Sequence, residues 1–255
     1  MNNNEFTVVE HLNELRKRLF VMVFFLAIAV IGSFFLAEPL INYLQNAEPA
    51  ENITLNALQV MDPFLIYLKV VLFLAFTFTS PIISYQLWAF VSPGLEEKER
   101  RATLSYIPFA FLLFLGGVAF SYFLLFPYLM SFMTGLATDL GITQIISIND
   151  YFNFIFQITL PFGVIFQLPI VLLFLTRLGL VNPQMLVKAR KMAYFVLFVI
   201  AAFITPPDLV SHLFTSVPLF ILYEISIAIS RVGYRKYLAA EAKRKLEEQQ
   251  LHQTK

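Results

Sequence analysis

The sequence has no cysteine and few charged residues. Only 14% of its 255 residues are Asp, Glu, Lys or Arg, whereas 58% are hydrophobic and 29 are Phe. The lack of cysteine excludes disulfides, thiolate metal sites and cysteine nucleophiles. Soluble domains carry roughly a quarter of their residues as charged side chains. A chain with so little charge, and with apolar runs near the roughly 17–25 residues that cross a bilayer, is predicted to be an integral membrane protein.

The motifs of several enzyme classes are also missing. The sequence contains no G-x-x-x-x-G-K-[ST] nucleotide loop, no H-E-x-x-H zinc motif and no G-x-S-x-G nucleophile motif. Its histidines, His11, His212 and His252, lack metal-ligand spacing. A net charge of +1 gives no indication of the strongly basic surface with which proteins bind nucleic acids. We therefore predict a protein that is not an enzyme and has no catalytic residues, no metal, no cofactor and no nucleic-acid partner.

The apolar runs predict an all-α membrane protein with six transmembrane helices. The predicted spans are 19–36, 63–90, 102–126, 151–176, 192–205 and 209–230. The fifth has about 14 residues between Lys191 and Pro206, or about 21 Å of helix, against a hydrocarbon core of about 30 Å. The sixth is interrupted by Pro218 and Glu224, so helices five and six are both predicted to be short. Prolines within several spans predict kinked helices and a concave body.

The positions of Lys and Arg predict the orientation. Lys69 lies inside the second predicted span. Every other Lys or Arg lies before the first span, between the second and third, between the fourth and fifth, or after the sixth. The remaining connections, 37–62, 127–150 and 206–208, contain neither Lys nor Arg. The positive-inside rule therefore places both termini in the cytoplasm. We predict a multi-pass protein of the cell membrane. Its parts are a cytoplasmic amphipathic N-terminal helix (1–18), a membrane domain (19–230) and a polar cytoplasmic tail (231–255).

Two acidic residues at the predicted cytoplasmic face are candidates for binding a cation from another chain. Glu14 has Arg18 four residues later on the same helix, so a local surface pair worth roughly 0.2–0.5 kcal/mol is one interpretation. Glu99 has Thr103 at that spacing and lacks such a cation. Two free carboxylates can bind two arginines, because the planar guanidinium fits a carboxylate bidentately. The residue pattern alone leaves both interpretations open.

Four segments at matching spacing resemble the TatC family, the receptor subunits of the twin-arginine protein translocase. They are HLNELRKRL (11–19), SPIISYQLWAFVSPGLEEKERR (80–101), FSYFLLFPY (120–128) and ITPPDLVSH (204–212). LYEISIAISR (222–231) resembles the last span of that family. The resemblance implies a concave, glove-like body of six spans. It also implies recognition of twin-arginine signal peptides and export of folded proteins, driven by the proton motive force. The implied partners are these signal peptides, single-span TatA and possibly TatB subunits, further copies of this chain, and membrane lipids.

The resemblance also implies roles for particular residues. It places the signal-binding carboxylates on Glu14 and Glu99, with Phe90 and Gln86 lining the same cytoplasmic region. A further set matches positions associated with the outer loops and the fold, for which a structural role is preferred: Pro39, Pro63, Tyr122, Pro127 and Asp208.

Two polar residues within the spans are candidates for contact with the single-span partners. Many relatives carry Glu in an F-E-x-P motif, but this chain has Gln167, which can hydrogen-bond and cannot carry charge. Glu224 is ionisable, and neutralisation by a basic residue on the cytoplasmic side is the alternative interpretation.

A secondary transporter or channel for small solutes is the alternative function. Such a protein is expected to have paired broken helices and ionisable groups near the middle of the membrane. The predicted spans offer mainly Gln86, Gln157, Gln167 and Glu224, without repeat symmetry. A membrane-embedded enzyme is a third possibility. It would need a set of catalytic residues, and the sequence shows none.

Overall fold

The computed structural model describes residues 3–47, 55–91, 104–206 and 208–253. Nearly all of them are helical, as expected for a chain whose backbone must satisfy its own hydrogen bonds in lipid. The helices are α1 (Asn3–Gln45), α2 (Asp62–Val91), α3 (Tyr106–Phe120), α4 (Phe126–Asp139), α5 (Ile148–Ile165), α6 (Leu168–Arg177), α7 (Pro183–Lys188), α8 (Arg190–Ile204) and α9 (Leu209–Gln253). A π-helical turn, Ser121–Leu125, joins α3 to α4. Two short strands, β1 (Leu55–Asn56) and β2 (Ile146–Ser147), pair in parallel.

Within the described residues, five helical segments are long and apolar enough to cross a membrane. They are Leu12–Gln45, Asp62–Phe90, Tyr106–Asp139, Ile148–Arg177 and Leu209–Ala239. The third of them joins α3 to α4 through the π-helical turn, and the fourth contains both α5 and α6. The predicted fifth span corresponds to α8, whose 15 residues give about 22 Å of helix. Its predicted shortness is confirmed.

The prediction that the sixth helix is short and interrupted is wrong. α9 is a single helix of 45 residues, and its apolar part, Leu209–Ala239, covers 31 of them. Pro218 removes one backbone hydrogen bond without ending the helix, and the turns on either side continue. Glu224 does not interrupt α9, since glutamate is a good helix former. The predicted polar tail continues the same helix to Gln253.

The chain divides into two compact units. The first consists of residues 1–96 and 107–163, and the second of 97–106 and 164–255. In the first unit α1 packs against α2, where the Tyr67 hydroxyl donates to the Phe34 carbonyl at 2.5 Å. Gly163 of α5 lies close to α3, because a Cβ at this position would stand 2.8 Å from the ring of Phe114. The fully buried side chains of this unit include Phe126, Tyr151 and Phe152.

In the second unit α9 packs against α6 through small residues. The hydroxyls of Thr176 and Ser230 lie 2.7 Å apart, and both residues are fully buried. A Cβ at Gly233 would stand 2.6 Å from Leu173, so glycine allows the two helices to approach closely. Such small-residue contacts are the usual means of helix association where hydrophobic burial gives no driving force.

Candidate functional site

Glu14 and Gln86 are brought together by one arginine. Glu14 and Arg18 lie one turn apart on α1, and Gln86 lies on α2. The Arg18 Nη2 and Nε groups donate to Glu14 Oε1 at 2.5 and 3.1 Å. The Nη1 group of the same guanidinium donates to Gln86 Oε1 at 3.4 Å. The local ion pair is therefore present, and Arg18 links it to a residue that the sequence analysis placed in the signal-binding region.

Within the described residues, only one oxygen of the Glu14 carboxylate accepts hydrogen bonds. Both hydrogen bonds from Arg18 end on Oε1, and within the described part of the chain Oε2 accepts none. A bidentate arginine–carboxylate pair uses both oxygens. The Glu14 side chain is 34% exposed and that of Arg18 is 21% exposed. Among the described residues, none donates to Oε2, and the side chain is partly exposed.

The other two predicted signal-binding residues differ in what the structure describes. Phe90 lies one turn beyond Gln86 on α2 and is half-buried. Glu99 lies outside the described residues, so its position relative to Glu14 stays a prediction. The structure thus brings together Glu14 and Gln86, with Phe90 on the same helix as Gln86.

Glu224 has two partners on α8. Its Oε2 accepts from Arg190 Nη2 at 2.7 Å, and its Oε1 accepts from the Tyr194 hydroxyl at 2.6 Å. The two side chains of the ion pair are about equally exposed, 38% for Arg190 and 40% for Glu224. Glu224 is therefore paired with a basic residue, as one of the two interpretations expected. That this residue lies on the cytoplasmic side stays a prediction, and so does contact of Glu224 with a partner subunit.

Gln167 lies at the interruption between α5 and α6. Its backbone N–H donates to the Val164 carbonyl at 3.0 Å, and its carbonyl accepts from Ile170 at 3.1 Å. The interruption precedes Pro169, which lies in the first turn of α6 and is buried. Gln167 itself is half-buried. Contact with a partner subunit at this residue stays a prediction.

Two of the residues assigned to the outer loops and the fold, Pro63 and Asp208, lie at helix starts. Pro63 lies in the first turn of α2, where the missing N–H costs no helical hydrogen bond. Pro127 follows the π-helical turn inside the continuous helical segment that α3 and α4 form. Pro39 lies inside α1 and is exposed. Asp208 precedes α9, and its Oδ1 accepts from the Ser211 N–H at 2.7 Å, as an N-cap does.

Tyr122 is part of the buried aromatic core of the first unit. It lies in the π-helical turn, is 8% exposed, and its ring stacks on Phe126 with a centroid separation of 6.2 Å and an interplanar angle of 7°. A structural role for this residue therefore agrees with its position.

Two sets of polar contacts were not predicted from the sequence. Asp62 is 1% exposed, and its Oδ2 accepts from the N–H groups of Leu58 and Gln59 at 2.9 Å each. The dipeptide Asp62–Pro63 at a helix start is a capping pattern that could have identified it. Lys69 is the one basic residue inside a predicted span, and its Nζ donates to the side-chain oxygens of Asn149 and Asn153 at 2.7 and 2.6 Å.

Comparison with known proteins identifies the family. The profile described as "Sec-independent protein translocase protein (TatC)" matches residues 10–218, which is most of the chain. The chain belongs to the TatC family. TatC of Halalkalibacterium halodurans is 53% identical over 250 residues, which are 98% of this chain and 99% of that protein. TatCy of Bacillus subtilis is 53% identical over 236 residues, which are 92% of this chain and 93% of that protein.

Two crystal structures of the twin-arginine translocase receptor TatC have a similar fold. The first is 33% identical, with a TM-score of 0.78, and covers 88% of this chain and 99% of its own. The second, of the receptor in DDM, is 34% identical, with a TM-score of 0.79, and covers 86% of this chain and 99% of its own. The resemblance to TatC is confirmed, and so is a helical fold with several candidate membrane spans. A transporter of small solutes is not favoured.

The TatC match covers the predicted signal-binding residues and ends before Glu224. Glu14, Gln86, Phe90 and Glu99 all fall within residues 10–218. The contact between Arg18 and Gln86 also lies within this range, but it joins residues 68 positions apart and had no signal in the sequence. Among the residues that the structure describes, no group of three His, Asp or Glu side chains is arranged to hold a metal ion.

Proposed function

We propose that this TatC-family protein is the subunit that binds twin-arginine signal peptides at the cytoplasmic face of the cell membrane and starts the export of folded proteins. Family membership supports the proposal. The single observation that points to a particular site is the Glu14 carboxylate, in which only Oε1 accepts hydrogen bonds from the described residues. An arginine side chain from a signal peptide would donate to Glu14 Oε2. A hydrogen bond to a charged group contributes roughly 1.5–3 kcal/mol, more than the exposed local pair with Arg18 contributes.

Arg18 would have to yield to this incoming arginine, because the two guanidinium groups repel each other. Gln86 Oε1 already accepts from Arg18 and is neutral. Arg18 could therefore turn toward Gln86 while the signal arginine takes its place on Glu14. Gln86 would then act by holding the displaced cation, and Phe90, one turn further on α2, would contact the apolar part of the signal.

Glu99 would bind the second arginine of the pair. Two carboxylates, each accepting one guanidinium, explain a preference for arginine over lysine, since the ammonium group of lysine cannot form the two parallel hydrogen bonds of a bidentate pair.

The proposed topology has six spans with both termini in the cytoplasm. The five long apolar segments and α8 as the short fifth span give six, and the distribution of Lys and Arg supports the orientation. A helix of about 22 Å leaves a mismatch with a core of about 30 Å, and a partner helix can cover it. α8 is therefore the proposed docking position for single-span TatA-type or TatB-type subunits, with Gln167 as a candidate polar contact. The concave, glove-like arrangement stays a prediction.

Transport would be driven by the proton motive force through these partner subunits, with no reaction catalysed by this chain. Assembly with further copies of the chain belongs to the same proposal.

The test is export of a folded reporter carrying a twin-arginine signal, in a strain in which this chain is the only TatC. Glu14→Gln and Glu99→Gln are expected to reduce export strongly while the protein accumulates normally. Glu38→Gln is the matched control, because Glu38 is an exposed carboxylate at the opposite end of α1. Normal export by both Glu14→Gln and Glu99→Gln would exclude the proposed site. Transport of a small solute by the purified chain alone would support the alternative function.

A further inference from the structure

A basic pocket lies in the second unit, where α7 meets α9. Its volume is about 540 Å³. Lys188 comes from the end of α7, and Arg231 and Arg235 come from successive turns of α9. All three side chains belong to exposed residues. The pocket is thus lined by three cations from two helices that are distant in sequence.

None of the residues that line the pocket is acidic. Lys188, Arg231 and Arg235 form no ion pair with any residue that the structure describes, in contrast to Arg18 and Arg190. Three unpaired cations around one cavity attract an anion of matching size.

Neutral donors complete the pocket and are held in place. Asn182 caps α7 by accepting from the Gln184 N–H at 3.0 Å, and its side-chain nitrogen donates to the Tyr234 hydroxyl at 3.3 Å. The hydroxyl of Tyr234 therefore keeps its own hydrogen to donate. The ring of Tyr234 stacks on that of Tyr237, at 6.0 Å between centroids and 21° between planes.

Tyr237 is in turn fixed by Gly179. A Cβ on Gly179 would stand 2.7 Å from the Tyr237 ring, and the φ of Gly179 is +71°. Glycine is therefore required both by the backbone and by the approach of the ring. This chain of contacts positions the Tyr234 hydroxyl at the pocket.

The position of the pocket indicates the source of the anion. Arg231 and Arg235 lie near the end of the apolar part of α9, which reaches Ala239. The remaining lining includes the apolar side chains of Pro183 and Val187. A pocket lined by both basic and apolar side chains fits an amphiphile better than a free ion. Basic pockets between helices at the cytoplasmic side are suited to the phosphates of lipid headgroups.

We propose that this pocket binds the phosphate of an anionic phospholipid of the cytoplasmic leaflet. Lys188, Arg231 and Arg235 supply the charge, the Tyr234 hydroxyl donates to a phosphate oxygen, and Pro183 and Val187 contact the glycerol and the first methylenes of the acyl chains. The site uses none of the residues proposed to bind the signal peptide and rests on the proposed orientation only. It would hold α7 to α9 when the membrane contains anionic lipid.

The test is native mass spectrometry of the full chain, purified in mild detergent and titrated with phosphatidylglycerol or phosphatidylcholine. We expect the wild-type chain to retain phosphatidylglycerol more tightly than phosphatidylcholine. The variant K188Q/R231Q/R235Q is expected to lose this preference, at about five-fold in affinity for each charge removed. The matched control is R16Q/K17Q/K191Q, which removes three exposed cations elsewhere and is expected to bind within about two-fold of wild type.

Tyr234→Phe tests the pocket without a change of charge. It is expected to weaken retention of phosphatidylglycerol roughly ten- to hundred-fold, because one hydrogen bond to a charged oxygen is lost. Equal retention of the two lipids by the wild-type chain, or wild-type retention by the triple variant, would overturn the proposal. Displacement of the lipid by inorganic phosphate at equal concentration would assign the pocket to a free phosphate instead and would also overturn it.

The outcome is separable from that of the proposed function. Loss of lipid selectivity in K188Q/R231Q/R235Q, with export still dependent on Glu14, would support both. If export does not depend on Glu14 while the lipid preference depends on the pocket, the signal-binding proposal fails and the lipid site stands.

Discussion

Replacing Glu14 with Gln removes one negative charge and keeps the size of the side chain. In the unbound protein the cost is small, because an exposed ion pair contributes roughly 0.2–1 kcal/mol and the Glu14 side chain is 34% exposed. In the complex the cost is larger, because a hydrogen bond to a charged group contributes roughly 1.5–3 kcal/mol. At about 1.4 kcal/mol for each factor of ten, Glu14→Gln should weaken binding of a twin-arginine peptide by roughly ten- to hundred-fold.

Arg18→Gln is expected to act in the opposite direction. It removes the cation that occupies Glu14 Oε1 and that repels an incoming guanidinium. The loss of an exposed pair frees at most about 1 kcal/mol, so binding should be unchanged or up to about five-fold tighter. In a chain that already carries Glu14→Gln, the Arg18 substitution should have no effect, because the two residues act on the peptide through the same carboxylate.

The assay is fluorescence anisotropy of a labelled twin-arginine peptide titrated with the purified full chain, at about 50 mM salt so that the charges are weakly screened. A peptide with two lysines in place of the arginines is the specificity control. Glu38→Gln is the control for a change in net charge on the same helix. Binding by Glu14→Gln within about two-fold of wild type would refute the reasoning. So would equal losses in Arg18→Gln and Glu14→Gln, because Arg18 would then be a direct contact and not a competitor.

Three further predictions follow from other parts of the structure. Arg190→Gln leaves the carboxylate of Glu224 without its cation and should lower stability by about 1–3 kcal/mol; thermal unfolding in detergent measures this, and addition of Glu224→Gln should recover part of the loss. Gly163→Ala places a Cβ 2.8 Å from the buried ring of Phe114 and should cost about 1–3 kcal/mol, whereas Gly116→Ala, with nothing within 4 Å, should be neutral or stabilising. Because the chain has no cysteine, single cysteines report the topology cleanly. A membrane-impermeant maleimide should label Q144C in intact cells, and N3C and K191C only after permeabilisation; the reverse pattern would contradict the proposed orientation.

The parts of the fold that were predictable depend on local chemistry. A long apolar run must be a helix if it lies in lipid, since only a helix satisfies its backbone hydrogen bonds within one segment. The shortness of α8 followed from Lys191 and Pro206, two residues that bound its apolar stretch in the sequence. The resemblance to TatC rested on motifs that contain several matching residues at fixed spacing, and it held over most of the chain.

The parts that were not predictable depend on residues brought together by folding. Pro218 is compatible with a continuous helix or with a break, and its neighbours in space decide between them. Glu224 was clearly costly as an unpaired charge in a span, but its partners Arg190 and Tyr194 are 34 and 30 residues away. Lys69 is also a charged residue within a predicted span, and its partners, the side-chain amides of Asn149 and Asn153, are 80 or more residues away.

Glu14 has two interpretations, a local pair with Arg18 and the binding of a cation from another chain. The hydrogen bonds to its carboxylate decide whether the first excludes the second. The spacing of Glu14 and Arg18 predicts a local pair, and the pair is present. A local pair that used both carboxylate oxygens would leave Glu14 nothing to offer a signal peptide. Here Arg18 divides its donors between Glu14 Oε1 and Gln86, so Oε2 accepts nothing from the described residues. The local pair therefore does not exclude recognition. In the proposed mechanism, the pair holds the carboxylate in position on α1 until a second guanidinium arrives.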